Sequence, residues 1–132
     1  MWNLDFQPPQ VIEARVLTRL PDAFRQKRRS EWADANKPGQ ELDSFLEGPA
    51  FDRDGNLYVT YSGTRGQEVP VSIFRVRPNG TRESFSSGIV NPTSMAIGPE
   101  GRLYVSSRFE GTIYRVDAIG VRASLGLGVR FF

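Results

Sequence analysis

The chain contains no histidine and no cysteine. These two absences remove much of the usual catalytic repertoire. There is no Ser–His or Cys–His nucleophile pair, no imidazole to move a proton near neutral pH, and no thiolate or imidazole to hold zinc. Hydrolytic chemistry is left to carboxylates, or to a hard cation held by oxygen ligands. No apolar run approaches the ~20 residues of a membrane span. The opening MWNLDFQPPQ has neither the basic start nor the apolar core of a secretory signal. With cysteine also missing, the expectation is a cytoplasmic protein without a membrane partner. Charge of one sign is not in excess either, with 17 Lys and Arg against 15 Asp and Glu. The one dense basic run, Arg25-Gln26-Lys27-Arg28-Arg29, has no interleaved aromatics. It reads as a solvated face, and no nucleic-acid partner is expected.

What is present is a repeat. Residues 52–60, DRDGNLYVT, return as residues 98–106, GPEGRLYVS, at a spacing of 46. Residues 74–83, FRVRPNGTRE, return as residues 114–123, YRVDAIGVRA, at a spacing of 40. The difference is a six-residue loop insertion in the first copy, between Thr60 and Ile73. A period of about 40 residues in a strand-rich chain belongs to propeller blades.

The predicted fold is therefore all-β: propeller-type blades of four antiparallel strands, about two blades plus an N-terminal strand, forming a partial or open propeller. In the first copy strands are expected over 49–52, 57–60, 73–77 and 81–84. In the second they are expected over 93–97, 103–106, 112–116 and 122–125, with Leu103, Val105, Ile113 and Val116 in the core. Residues 1–44 form an N-terminal strand and an irregular excursion, residues 45–91 the first blade and residues 92–132 the second. Alternation over Val11–Leu20 predicts the N-terminal strand. Residues 21–35 read as a short helix or irregular stretch, and Lys37-Pro38-Gly39 as a break. A third copy breaks off within GLGVRFF, residues 126–132.

Asp52-Arg53-Asp54-Gly55-Asn56 has the look of a calcium loop. Such a loop needs further oxygen ligands, ending in a bidentate carboxylate. Here the chain passes straight into Leu57-Tyr58-Val59, which makes it a hairpin turn. Asn79-Gly80-Thr81 matches a glycosylation acceptor by pattern, but it occupies the second hairpin turn of the same copy.

The segments ARVLTRLPDAFR and RRSEWADANKPGQELDSFLEGPAFDRDGNLYVT, within residues 11–60, resemble the senescence-marker-protein/gluconolactonase family, also called regucalcin-like. The second repeat, NPTSMAIGPEGRLYVSSRFEGTIYRV, is similar to the NHL class of propeller repeat. The resemblance implies a six-bladed propeller, a divalent metal (calcium, zinc, magnesium or manganese) at its central channel, and a small-molecule lactone or ester as substrate. It also implies that Glu47, in Leu46-Glu47-Gly48-Pro49, is a metal ligand; catalytic residues stay unassigned. Gly48 permits close backbone approach and Pro49 fixes φ, so a stiff turn aims the carboxylate. The chain departs from the family pattern where an Asn is expected in a Pro-Asn-Gly-Leu-like step. Thr93 stands there, in Pro92-Thr93-Ser94-Met95, with Asn91 nearby but out of register. Tyr61 stands where Asp is common. Two functional expectations follow: a metal-dependent lactonase, or a non-catalytic NHL-like scaffold for protein or ligand binding. Either could assemble as a homo-oligomer through open sheet edges.

Overall fold

The computed structural model describes residues 7–25, 27–29, 31–63, 67–118, 120 and 122–125. The strands form two four-stranded antiparallel sheets in which each strand pairs only with its neighbours in sequence. Sheet one contains β1 (Phe45–Phe51), β2 (Leu57–Ser62), β3 (Ile73–Val76) and β4 (Arg82–Ser86). Sheet two contains β5 (Pro92–Ile97), β6 (Leu103–Ser107), β7 (Thr112–Val116) and β8 (Arg122–Ser124). Among the described residues the two sheets do not close into a ring. Among the described residues no helix is long and apolar enough to cross a membrane.

The turns follow from side-chain chemistry. At the first hairpin Asp52 Oδ1 accepts from the backbone N–H of Asp54 and of Asn56, both at 2.9 Å. Its Oδ2 accepts from Asn56 Nδ2 at 2.8 Å and from the Tyr58 hydroxyl at 3.0 Å. Asp52 is thus the clamp of a hairpin, with its oxygens committed to four donors. Burial works to raise its pKa, but the bonds from Asn56, Tyr58 and Asp54 outweigh that and hold the carboxyl below its usual value. The second copy has Gly98 at this place, and the ring of Tyr104 lies 2.9 Å from where a Gly98 side chain would begin. At the next turn Asn79 Oδ1 accepts from Thr81 N–H at 2.9 Å.

The main core lies between the sheets. Tyr58, Ile73 and Phe85 of sheet one meet Leu103, Val105, Tyr114, Val116, Met95 and Ile97 of sheet two, with Ile89 from the connection. Ile73, Val105 and Val116 are fully buried, each worth roughly 1.5–3 kcal/mol of apolar transfer. The connection itself is pinned by two buried hydroxyls. Ser72 Oγ donates to Ile89 O at 3.0 Å and accepts from Ile89 N–H at 2.8 Å. Ser107 Oγ donates to Val90 O. Ser86 Oγ further ties sheet one to Gly120 O at 2.8 Å. Gly120 has φ +85°, and a Cβ there would overlap the Phe85 carbonyl oxygen.

Three expectations need correction. Residues 11–20 form no strand. Val11 and Ile12 are 92% and 86% exposed, and only Leu20 packs, with Phe24, on the outer face of sheet one against Tyr61 and Phe74. Alternation marks a strand only where a partner strand takes up its backbone groups; here the Arg82 side chain of β4 donates to Arg19 O, but no described strand pairs with this segment through its backbone. Ile113 is not a core residue; Tyr114 takes that role beside Val116. Residues 113 and 116 differ in parity along a period-two strand, so they cannot share a face. β1 begins at Phe45 rather than at residue 49, so Glu47 lies inside a strand. The excursion contains a 3-10 turn at Asp22–Phe24 and helix α1 (Glu31–Asn36), which ends before the Lys37-Pro38-Gly39 break. The GLGVRFF segment lies outside the described residues.

Replacing Asp52 with Ala leaves the buried donors of Asn56 and Tyr58 without their acceptor, and is expected to cost about 1–3 kcal/mol in urea unfolding. Because the folded-state pKa of Asp52 lies below its unfolded value, its contribution is complete above the unfolded value of 3.8 and is lost as pH falls through the folded one. Stability of the wild type should therefore fall more steeply than that of Asp52→Asn below about pH 4.

Candidate functional site

β1 and β5 are each one of the two edge strands of their sheets and lie against one another. Both carry a register shift near their first residues, between Glu47 and Ala50 in β1 and between Pro92 and Ser94 in β5. Gly48 sits in the first of these bulges with φ +54°. A Cβ on it would lie 2.7 Å from Thr93 O and 3.0 Å from Ser94 Cα. Only glycine gives both the backbone angle and the close approach of the two strands.

This contact opens a cleft of about 140 Å³ lined by Glu47, Phe45, Ser62, Gly63, Asn91, Thr93, Arg108 and Phe109. The Glu47 main chain is fixed by Thr60, whose buried hydroxyl donates to Glu47 O at 2.8 Å. Its side chain is exposed toward the cleft. Asn91 is buried and holds φ +46°. Its Nδ2 donates to Gly63 O at 3.1 Å, and its carbonyl accepts from Arg108 N–H at 3.0 Å. Thr93 Oγ1 and Ser106 Oγ lie 3.2 Å apart.

Glu47 and Asn91, the latter out of register with the family's Asn position held here by Thr93, therefore line one cleft. Thr93 stands at the position equivalent to Glu47 in the repeat, 46 residues on. Tyr61 is remote from this chemistry: its hydroxyl donates to Phe24 O at 2.7 Å and its ring packs edge-to-face on Phe24 and Phe74. The nearby carboxylate of Glu110 is occupied by the Tyr114 hydroxyl and by Val90 N–H. Burial and that carboxylate together push the Tyr114 phenol up from its usual pKa. Sequence reasoning missed Arg108 and Phe109, which enter from the β6–β7 turn; no local pattern marks a turn residue that reaches across to another sheet.

The cleft does not fit a divalent cation as a complete site. Glu47 is its one carboxylate, and Arg108 brings a positive charge to the same space. Among the described residues no three acidic, His or Cys side chains gather where they could hold a metal. A hard cation takes six or more oxygens in most protein sites. The chain offers instead one anionic acceptor, one guanidinium, an amide, two hydroxyls and two aromatic rings. That set suits a small hydroxylated ring compound, with hydroxyls on the polar groups and C–H faces on Phe45 or Phe109. The basic run is dispersed rather than gathered there: Arg29 pairs with Asp34 at 3.0 Å, and Arg25 lies 3.9 Å from both Asp22 and Asp43.

Gly48→Ala should force β1 away from β5 and lower stability by about 1–3 kcal/mol, read as a fall in thermal midpoint. Thr93→Ala, which keeps the backbone contact, is the control and should shift it far less. Comparison of the chain with family models, curated proteins and solved structures finds no match.

Proposed function

We propose that the protein is a gluconolactonase-like hydrolase of sugar lactones or related esters, built from propeller-type blades, and that the cleft around Glu47 receives the ring of the lactone. The observation that carries this reading is the convergence of Glu47, Asn91 and Thr93 where the two edge strands touch. Glu47 accepts hydrogen bonds from sugar hydroxyls, and the guanidinium of Arg108 offers a cationic donor to the carbonyl oxygen. The divalent metal expected for this class finds too few oxygen ligands among the described residues, so metal-dependent hydrolysis requires ligands from beyond them. A second reading, a non-catalytic NHL-like scaffold that binds without turnover, is favoured by one feature: Arg108 shares the cleft with its only carboxylate and competes with any cation for it.

The test is a thermal-shift titration with gluconolactone, with and without calcium, magnesium, zinc or manganese, on the wild type and Glu47→Gln. The lactone should raise the midpoint of the wild type and leave Glu47→Gln unmoved. Equal shifts in both proteins, or no shift in either, would remove Glu47 from the site. Proton release during lactone opening then separates the two readings, since binding without acceleration over the buffer rate leaves only the scaffold.

A further inference from the structure

The repeat that builds the two sheets also repeats the surface between them, and the second occurrence of that surface is uncovered. Sheet one presses Tyr58, Ile73 and Phe85 toward sheet two, where Ile73 is fully buried, and Ala50 shares their face as the partner of Tyr58. Forty-six or forty positions later, the same strand places carry Ala96, Tyr104, Ile113 and Leu125. By strand alternation these lie on the face of sheet two that points away from sheet one, and none of them is buried. The converse holds on the other side. Ile97, Leu103 and Val105 of sheet two receive sheet one, and their counterparts Phe51, Leu57 and Val59 lie on the outward face of sheet one. Phe51 there is 67% exposed and its neighbour on that face, Leu46, 49%. Leu20 and Phe24 cover the Tyr61 and Phe74 part of this face and leave the Phe51 end open.

We infer that these two faces bind each other between copies of the chain, head to tail, with sheet two of one copy seated on sheet one of the next in the manner that the sheets pack within a copy. The occupant is specified by the molecule itself, because each free face is chemically the counterpart of a surface already seen filled by the other. The interface repeats the polarity of the core between the sheets.

The surface area agrees. The chain exposes 9607 Å², whereas a folded monomer of 14.8 kDa is expected to expose about 7,000 Å². The excess is roughly 2,600 Å², to which the exposed residues 7–17 contribute; two standard interface halves would cover ~1,600 Å² on each copy. A head-to-tail contact either closes as a ring or runs on as a filament. Four to eight blades close a propeller, so two sheets per copy give closed rings of two, three or four copies. This assembly does not depend on whether the cleft binds a lactone.

The experiment is light scattering on the full chain at sub-millimolar concentration, with Ile113→Glu to block the outward face of sheet two and Phe51→Glu to block that of sheet one. Both substitutions are at sites that are not buried, and circular dichroism with thermal unfolding checks that the variants fold. The wild type should have a mass of two to four times 14.8 kDa, and each variant alone the mass of one copy. A mixture of the two variants retains one intact pair of faces and should form a dimer and nothing larger. A monomeric wild type would overturn the inference, as would folded variants that keep the wild-type mass. So would a mixture that stays monomeric, since only a head-to-tail contact is rescued by combining the two blocks.

Discussion

The close approach of two backbones, at Gly48 against Thr93 and at Gly120 against Phe85, sets the spacing on which everything else in this molecule rests. At each point a side chain as small as a methyl would collide with a carbonyl oxygen of the other sheet. Between these two points the gap is filled by Ile73, Val105, Tyr58 and Tyr114, and the double hydrogen bond of Ser72 to Ile89 holds the connection beside it. Backbone contacts of this kind do not adapt by changing rotamer. The cleft around Glu47 is a by-product of the same constraint, since its walls are the first residues of the two strands that touch.

Much of the fold was legible because it repeats. The spacing of DRDGNLYVT and GPEGRLYVS placed the hairpins, and the strands appear where alternating apolar residues lie between turn-forming ones. Residues 52–56 could be read as a hairpin turn because they precede a strand rather than further ligands, and the structure adds that Asp52 closes it with four accepted hydrogen bonds. The error at Val11–Leu20 has a physical origin: alternation reports which face would be apolar, not whether another strand is there to take the hydrogen bonds. The error at Ile113 is one of parity. Its counterpart Ile73 is completely buried, so the apolar character is real while no sheet among the described residues covers it.

The candidate site was less legible. Glu47 could be named from the Leu46-Glu47-Gly48-Pro49 motif, and Gly48 from its role in close approach. Asn91 could not be placed by register, because its left-handed backbone turns the chain as it leaves the connection and enters β5. Arg108 and Phe109 arrive from a turn belonging to the other sheet, and only the packing of the sheets brings them to Glu47. The polar balance of the cleft, with one acidic and one basic residue among its lining, is a property of that packing and not of any contiguous motif.

The substitution of Gly98 for Asp52 between the two copies bears on the order in which the molecule assembles. The β1–β2 hairpin carries its own clamp, closed by residues no more than six positions apart. It can therefore form from local contacts alone, early and at small entropic cost. The β5–β6 hairpin has no such clamp; the Tyr104 ring lies against Gly98 instead, and the hairpin gains most of its stability once Leu103 and Val105 reach sheet one. Sheet one is in this sense the template and sheet two the guest. As the chain leaves the ribosome, the clamped hairpin emerges before the one that lacks a clamp.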